Sequence, residues 1–187
     1  MAISKTFINA QDLLQDSFVL AKKIYDSGFK PDFIIGVWRG GAPIGIAIQE
    51  YFEYAGIKTD HIAIRASSYT GVDQRTKTVR VDGLEYLLAN INRNSRLLVV
   101  DDVFDSGRSI EAILLRLKEE MDKDYPTTIR VACPWFKPKR NKTNLSPDYF
   151  VHQSDKWLVF PHEILGLSHE ELKQGKGELF NTLPEID

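Results

Sequence analysis

The sequence predicts one α/β domain built on a parallel sheet of about five strands with flanking helices. Three observations lead there. The apolar runs Phe33 to Trp38 and Leu97 to Val100 each pass through a short polar or glycine-bearing loop into a helical pattern, and a further strand, Thr128 to Cys133, follows the second helix. Alternation of buried strand and helix is the mark of a parallel sheet. The loops at the carboxyl ends of such strands are where ligands bind in open sheets of this kind.

Taken in order, Asn9 caps a helix in which Leu13, Leu14, Phe18, Ala21, Ile24 and Tyr25 recur at three- and four-residue steps, and Gly28 ends it. The first strand leads through Arg39-Gly40-Gly41-Ala42-Pro43 into a helix from Ile44 to about Tyr54. His61 to Ala66 is a short alternating strand, and Ser67 to Thr78 is a polar run too long for a tight hairpin turn. Leu84, Leu87, Leu88 and Ile91 make a short amphipathic helix. After Leu97 to Val100 come Asp101, Asp102 and a helix carried by Ile110, Ile113, Leu114 and Leu117 to about Lys123. Thr128 to Cys133 and Tyr149 to His152 are the last two strands, and residues 164–187 show helical patches without a motif.

Two strand-to-helix loops carry the chemistry. Asp105-Ser106-Gly107-Arg108-Ser109 offers successive backbone N–H groups, two hydroxyls and the positive end of a helix dipole, which suit a phosphate monoester. Asp101 and Asp102 repel phosphate, but ionised carboxylates accept hydrogen bonds from a diol and support Mg2+. The ligand implied is a ribose 5-phosphate with free hydroxyls. A bare acidic pair, or a bare D-S-G, would be only a solvated loop with a helix cap. In the other loop, Gly40 and Gly41 let backbone approach a ligand, and Arg39 adds donors suited to phosphate oxygens. Neither G-x-G-x-x-G nor G-x-x-x-x-G-K-[ST] occurs.

The full order of residues 97–109 is more specific: four apolar residues, two acids, two apolar residues, then D-S-G-R-S. It resembles the phosphoribosyl pyrophosphate (PRPP) motif of the type I phosphoribosyltransferases. The resemblance implies a Rossmann-like core of about residues 30–135 within a single domain of residues 1–187. It also implies a small hood built from the N-terminal segment and about residues 136–187. Asp101 and Asp102 would hold the ribose hydroxyls, residues Asp105, Ser106, Gly107, Arg108 and Ser109 the 5-phosphate, and Arg39 and Gly40 the pyrophosphate. The family form of this last loop implies a cis peptide at Trp38-Arg39. Ser68-Tyr69 is similar to the dipeptide that opens a closing lid in the hypoxanthine-guanine enzymes, where a lid keeps water from a cation-like transition state.

The same resemblance points to 6-oxopurines. Lys137-Pro138 is similar to the lysine that donates to purine O6, a permanent donor that selects against the amino group of adenine. In the xanthine-guanine branch an aromatic stacks on the base, a following backbone carbonyl reads its edge, and an acid lies near metal. Those positions are Trp157, Leu158 and Glu163 here, with Glu163 standing where Asp is usual. Asp105 would steer the N7 proton. The expected activity is Mg2+-dependent conversion of hypoxanthine, guanine or xanthine plus PRPP to the nucleoside monophosphate and pyrophosphate. A homodimer or homotetramer is the family expectation. Two alternatives stand beside it: a PRPP-binding regulator that contacts nucleic acid through the basic stretch Lys137 to Lys142, and a phosphoribosyltransferase for another base.

Composition narrows the setting. At 187 residues, 43% hydrophobic and 27% charged, the chain fits one globular domain with a sizeable core. Its formal charge of −2 supplies no global attraction to nucleic acid or anionic membrane, so neither is an expected partner and any polyanion site must be local. The single cysteine, Cys133, reads as a core residue and suits a reducing, cytoplasmic setting. No apolar run approaches the length of a membrane span, and residues 1–10 lack the apolar core of a signal peptide.

Overall fold

The computed structural model describes residues 5–70 and 77–184. In chain order the elements are β1 (Lys5–Phe7), α1 (Ala10–Asp26), β2 (Phe33–Trp38), α2 (Gly41–Tyr54), β3 (Asp60–Thr70) and β4 (Lys77–Asp82). They continue with α3 (Glu85–Asn90), β5 (Arg96–Val100), β6 (Val103–Phe104), α4 (Arg108–Met121), β7 (Thr128–Phe136), β8 (Tyr149–Gln153), β9 (Trp157–Val159) and α5 (His169–Gly175). The chain divides into two compact units, Leu14–Asp155 and a smaller one made of Met1–Leu13 with Lys156–Asp187.

Among the described residues the larger unit holds a seven-stranded sheet in the order β4-β3-β2-β5-β7-β6, with β8 also beside β7. Every pair is parallel except β3 with β4. The five strands expected from the sequence are all present. The extra two arise at places read as loops. The polar run after Ala66 continues β3 to Thr70 and returns as β4, with Ser68 opposite Val79 and Tyr69 opposite Thr78. Ladder hydrogen bonds to a neighbour outweigh the polar character of that run. Ser68-Tyr69 therefore lies on a strand, and residues 71–76, the rest of the expected lid, lie outside the described residues.

The expected hood also changes extent. Residues 136–155 and most of α1 belong with the larger unit. The reason is pairing: β8 runs parallel to β7, and Asp148 accepts the Val131 N–H at 2.8 Å and Arg130 Nη1 at 2.7 Å. In the smaller unit β1 pairs parallel with β9, Lys5 reaches Glu171 at 2.7 Å, and α5 begins with a capping box between Ser168 and Glu171. Gly175 is required there, because a Cβ would overlap the Phe7 ring. Leu158, Val159 and Phe160 are buried, while Trp157 is 46% exposed.

The position of β5 in the sheet determines where the acidic pair emerges. The strand lies between β2 and β7, and Leu97, Leu98, Val99 and Val100 are fully buried. That double-sided burial explains an apolar run with no alternation. At the amino ends Asp32 ties β2 to β5: its carboxylate accepts Arg96 Nη2 at 2.6 Å, Nε at 3.1 Å and the Arg96 backbone N–H at 2.8 Å. The Arg96 guanidinium holds the Asp32 carboxyl below the usual range. The register pairs Phe33 with Leu97 and Gly36 with Val100. Among the described residues no helix is long and apolar enough to cross a membrane.

Leu97 packs in the core with Ile35, Ile113 and Leu117. Leu97→Ala is expected to lower stability by about 2–5 kcal/mol through lost transfer energy and a residual cavity, read as a reduced midpoint in urea unfolding at unchanged slope.

Candidate active site

The β2–β5 register brings two loops together at the carboxyl edge. After β2 the chain turns through Trp38 and Arg39, joined by the cis peptide that the sequence expectation placed there, and enters α2. After β5, the Asp101 N–H still bonds to Ala132 on β7 at 3.1 Å, and the Asp102 N–H then turns back to Asp101 Oδ1 at 3.0 Å. The glycines of the first loop exist because of the second. A Cβ on Gly40 would overlap the Asp102 carboxylate. One on Gly41 would overlap the Val100 carbonyl and stand 2.9 Å from Asp101 Cα. Gly40 has ordinary helical dihedrals, φ −65° and ψ −34°, so the requirement is close approach and not an unusual backbone. Arg39 is exposed beside them.

Asp101 and Asp102 thus stand side by side at the end of the central strand. Enclosure of the Asp101 carboxyl raises its pKa well above the ordinary value, and the negative charge of Asp102 pushes the same way. Cys133, fully buried on β7, has its thiol pushed up by burial and stays a protonated core residue.

Beyond the acids, β6 pairs with the end of β7 and anchors the start of the Asp105 loop. Phe104 O accepts the Lys137 N–H at 2.9 Å and Ser106 O accepts the Lys142 N–H at 3.0 Å. Gly107 is the N-cap of α4 with φ +77°, a conformation side chains disfavour. A Cβ there would also come within 2.5 Å of Thr143 Oγ1 and 2.8 Å of Phe104 Cε1. Asp101, Asp105, Ser106, Gly107 and Ser109 line a small cavity of about 60 Å³ at this helix start. Ser106, Arg108, Ser109, Lys139, Arg140 and Lys142 line a second of about 510 Å³. Larger depressions, of about 780 Å³ beside α4 and about 860 Å³ in the smaller unit, hold neither the acidic pair nor the D-S-G loop.

Asp105 has two cationic partners. Lys137 Nζ donates to Oδ2 at 3.0 Å and Arg140 Nε to Oδ1 at 2.7 Å. Lys137 is only 5% exposed, a burial that a lysine tolerates with its charge matched. The sequence pattern singles out Lys137, and Arg140 enters it only as one of the basic residues of the stretch Lys137 to Lys142. The available signal was spacing: residues 138–140 form one 3₁₀ turn, and residues three apart in such a turn eclipse.

Trp157, Leu158 and Glu163 lie in the smaller unit. Glu163 Oε2 accepts the Phe160 N–H at 2.9 Å. Among the described residues no cluster of three or more His, Cys, Asp or Glu forms a ready-made metal site.

Residues 6–165 match the family model described as the phosphoribosyl transferase domain. The chain belongs to this family. Membership supports a glycosyltransferase-type enzyme, and the mainly parallel sheet is that of the type I phosphoribosyltransferase fold. Among solved structures it is similar to a purine phosphoribosyltransferase from Pyrococcus horikoshii, at 27% identity and TM-score 0.70, covering 89% of this chain and 98% of that one. A hypothetical protein from Neisseria gonorrhoeae with bound ppGpp shares the fold at 22% identity and TM-score 0.73, covering 94% and 97%. A xanthine-guanine-hypoxanthine phosphoribosyltransferase from Helicobacter pylori does so at 22% identity and TM-score 0.67, covering 86% and 95%. A search of the curated proteins found no match.

The enclosed acid sets one expectation. Asp101→Asn removes a carboxyl whose neutral form the fold favours, so it should raise the thermal midpoint at neutral pH. Because the folded pKa lies above the unfolded one, the wild type loses stability as pH rises from the unfolded value through the folded value. The gap between variant and wild type should therefore be small near pH 4 and widen upward, as calorimetry across that range reads.

Proposed function

We propose that the chain transfers phosphoribosyl from PRPP to a 6-oxopurine, hypoxanthine, guanine or xanthine, yielding the nucleoside 5′-monophosphate and pyrophosphate. The observation that carries this reading is the Asp105–Lys137 pair, 3.0 Å apart beside the Gly107 helix start. N7 and O6 of a 6-oxopurine are neighbouring groups on one edge. A fixed ammonium meets O6, and a carboxylate accepts the proton carried by N7. Adenine would turn its amino group toward the same ammonium, donor against donor.

The remaining assignments follow the loops. Backbone N–H groups of residues 106–109, with the Ser106 and Ser109 hydroxyls, bind the 5-phosphate at the start of α4. Asp101 and Asp102 accept from the ribose hydroxyls. Arg39 and the Gly40 backbone hold the pyrophosphate. As its C1–O bond breaks, N9 bonds to C1 and the N7 proton passes to or is steered by Asp105, with charge handled by positioned groups and no covalent nucleophile. Asp102 and, once it has given up its proton, Asp101 would hold Mg2+, which takes one or two carboxylates and completes its shell from substrate oxygens. Mg2+ bound there would neutralise charge on the departing pyrophosphate. Trp157 and Leu158 for the base, Glu163 for metal, and Ser68-Tyr69 for a lid rest on the motifs.

The basic stretch Lys137 to Lys142 supports the enzyme over a nucleic-acid-binding regulator. Lys137 and Arg140 face Asp105, and Lys139 lies 3.7 Å from Asp155, so three of its cations already have carboxylate partners within the chain.

Pyrophosphate release from PRPP and Mg2+ with hypoxanthine, guanine, xanthine, adenine, uracil and orotate is the test. Turnover confined to the 6-oxopurines is expected. Turnover with adenine or a pyrimidine would replace the base assignment, and PRPP binding without turnover on any base would sink the enzyme reading. Asp105→Asn should lower kcat on the order of 100-fold while PRPP KM stays near the wild-type value. Equal losses in both would remove the proton role.

A further inference from the structure

We infer that Arg140 is a positioning residue for Asp105: it fixes which carboxylate oxygen faces the base and keeps it there when Lys137 turns to the purine. The inference rests on the reaction proposed above and adds a residue to it.

Among the described residues the hydrogen-bond partners of the Asp105 carboxylate are Lys137 on Oδ2 and Arg140 on Oδ1. Among the described residues neither oxygen takes a backbone N–H, so the orientation of the group depends on these two side chains. Those two play unequal parts. Lys137 is 7% exposed at its side chain and is the group that must also donate to O6, so base binding draws on its bond to Oδ2. Arg140, 50% exposed, has no such second duty and holds Oδ1 from the solvent side. With Oδ1 occupied, Oδ2, on the Lys137 side, is left to accept from N7.

The backbone makes this arrangement rigid. Lys137 and Arg140 stand at the two ends of one 3₁₀ turn, closed by the Arg140 N–H to Lys137 O at 3.1 Å. In such a turn, side chains three residues apart project the same way. The turn is stitched to the Asp105 loop on both sides, through Lys137 N–H to Phe104 O and Lys142 N–H to Ser106 O. Donors and acceptor therefore keep a common frame, and a guanidinium Nε at 2.7 Å is a well-aligned anchor. Misplacing a catalytic group by about 1 Å costs on the order of 100-fold in rate, which is why such an anchor matters.

The test uses the full chain with Arg140→Met and Arg140→Lys. For Arg140→Met, kcat with the best 6-oxopurine should fall on the order of 10- to 100-fold, with PRPP KM within about twofold of wild type. Arg140→Lys, which restores a cation near Oδ1, should recover most of that loss. A merely structural surface pair would move the thermal midpoint a little and leave kcat alone. A crystal structure of Arg140→Met should show the Asp105 carboxylate swung from its wild-type orientation. An unchanged kcat with Asp105 unmoved overturns the inference. So does a rise in PRPP KM that accounts for the whole loss, which would make Arg140 a phosphate ligand. If the wild type turns over no 6-oxopurine, the proposed function falls, and the Asp105 orientation in Arg140→Met alone decides: swung supports the anchor, unmoved overturns it.

Discussion

The register between β2 and β5 is the constraint on which the site depends. At the amino ends it is held by Asp32 and Arg96 through paired side-chain and backbone bonds. At the carboxyl ends it sets Gly40 and Gly41 against Asp102, Val100 and Asp101 with no room for a side chain. A slip along the pair would move the acidic loop past the glycine loop and separate Arg39 and Gly40 from Asp101 and Asp102.

Three aspartates within five residues are put to different use by their surroundings. Asp101 is enclosed and faces a like charge, so the fold works against its ionised form. Asp102 turns toward the glycine loop, where only the absence of a Cβ admits it. Asp105 lies past β6 and meets two cations from one turn. Sequence spacing cannot distribute these roles. Between Asp102 and Asp105 stands the short β6, whose pairing with the end of β7 anchors the chain beside Trp135 and Phe136.

Much of the core was legible because periodicity reports burial directly. Phe33–Trp38 has the bounds expected of it, and α1 has the cap at Asn9 and the stop before Gly28. The stretch after Ala66 was less so: the end of β3 is polar and held by ladder bonds to β4, whose only apolar signal is the short alternation of Val79 and Val81. The region from Phe136 to Asp155 reads from sequence as part of the hood for a similar reason. Its tie to the larger unit is Asp148 reaching back to Arg130 and Val131, a contact between residues 17 and 18 apart that no local pattern announces. The capping box of α5, in contrast, is a plain S-x-x-E that the sequence displayed all along.

By itself the sequence determined the α/β class, the buried central strand, and the contiguous motifs on which the proposed chemistry rests: the acidic pair, D-S-G-R-S and R-G-G. Such features are local, since helix dipoles, backbone donors and adjacent carboxylates follow from residues a few positions apart. Only the tertiary structure decided that the glycine loop lies on the acidic pair, that Lys137 and Arg140 divide the two oxygens of Asp105, and that Asp101 is enclosed. Each of those depends on distances between segments about 30 to 60 residues apart, which sheet order and register set through packing and not through any single stretch of chain.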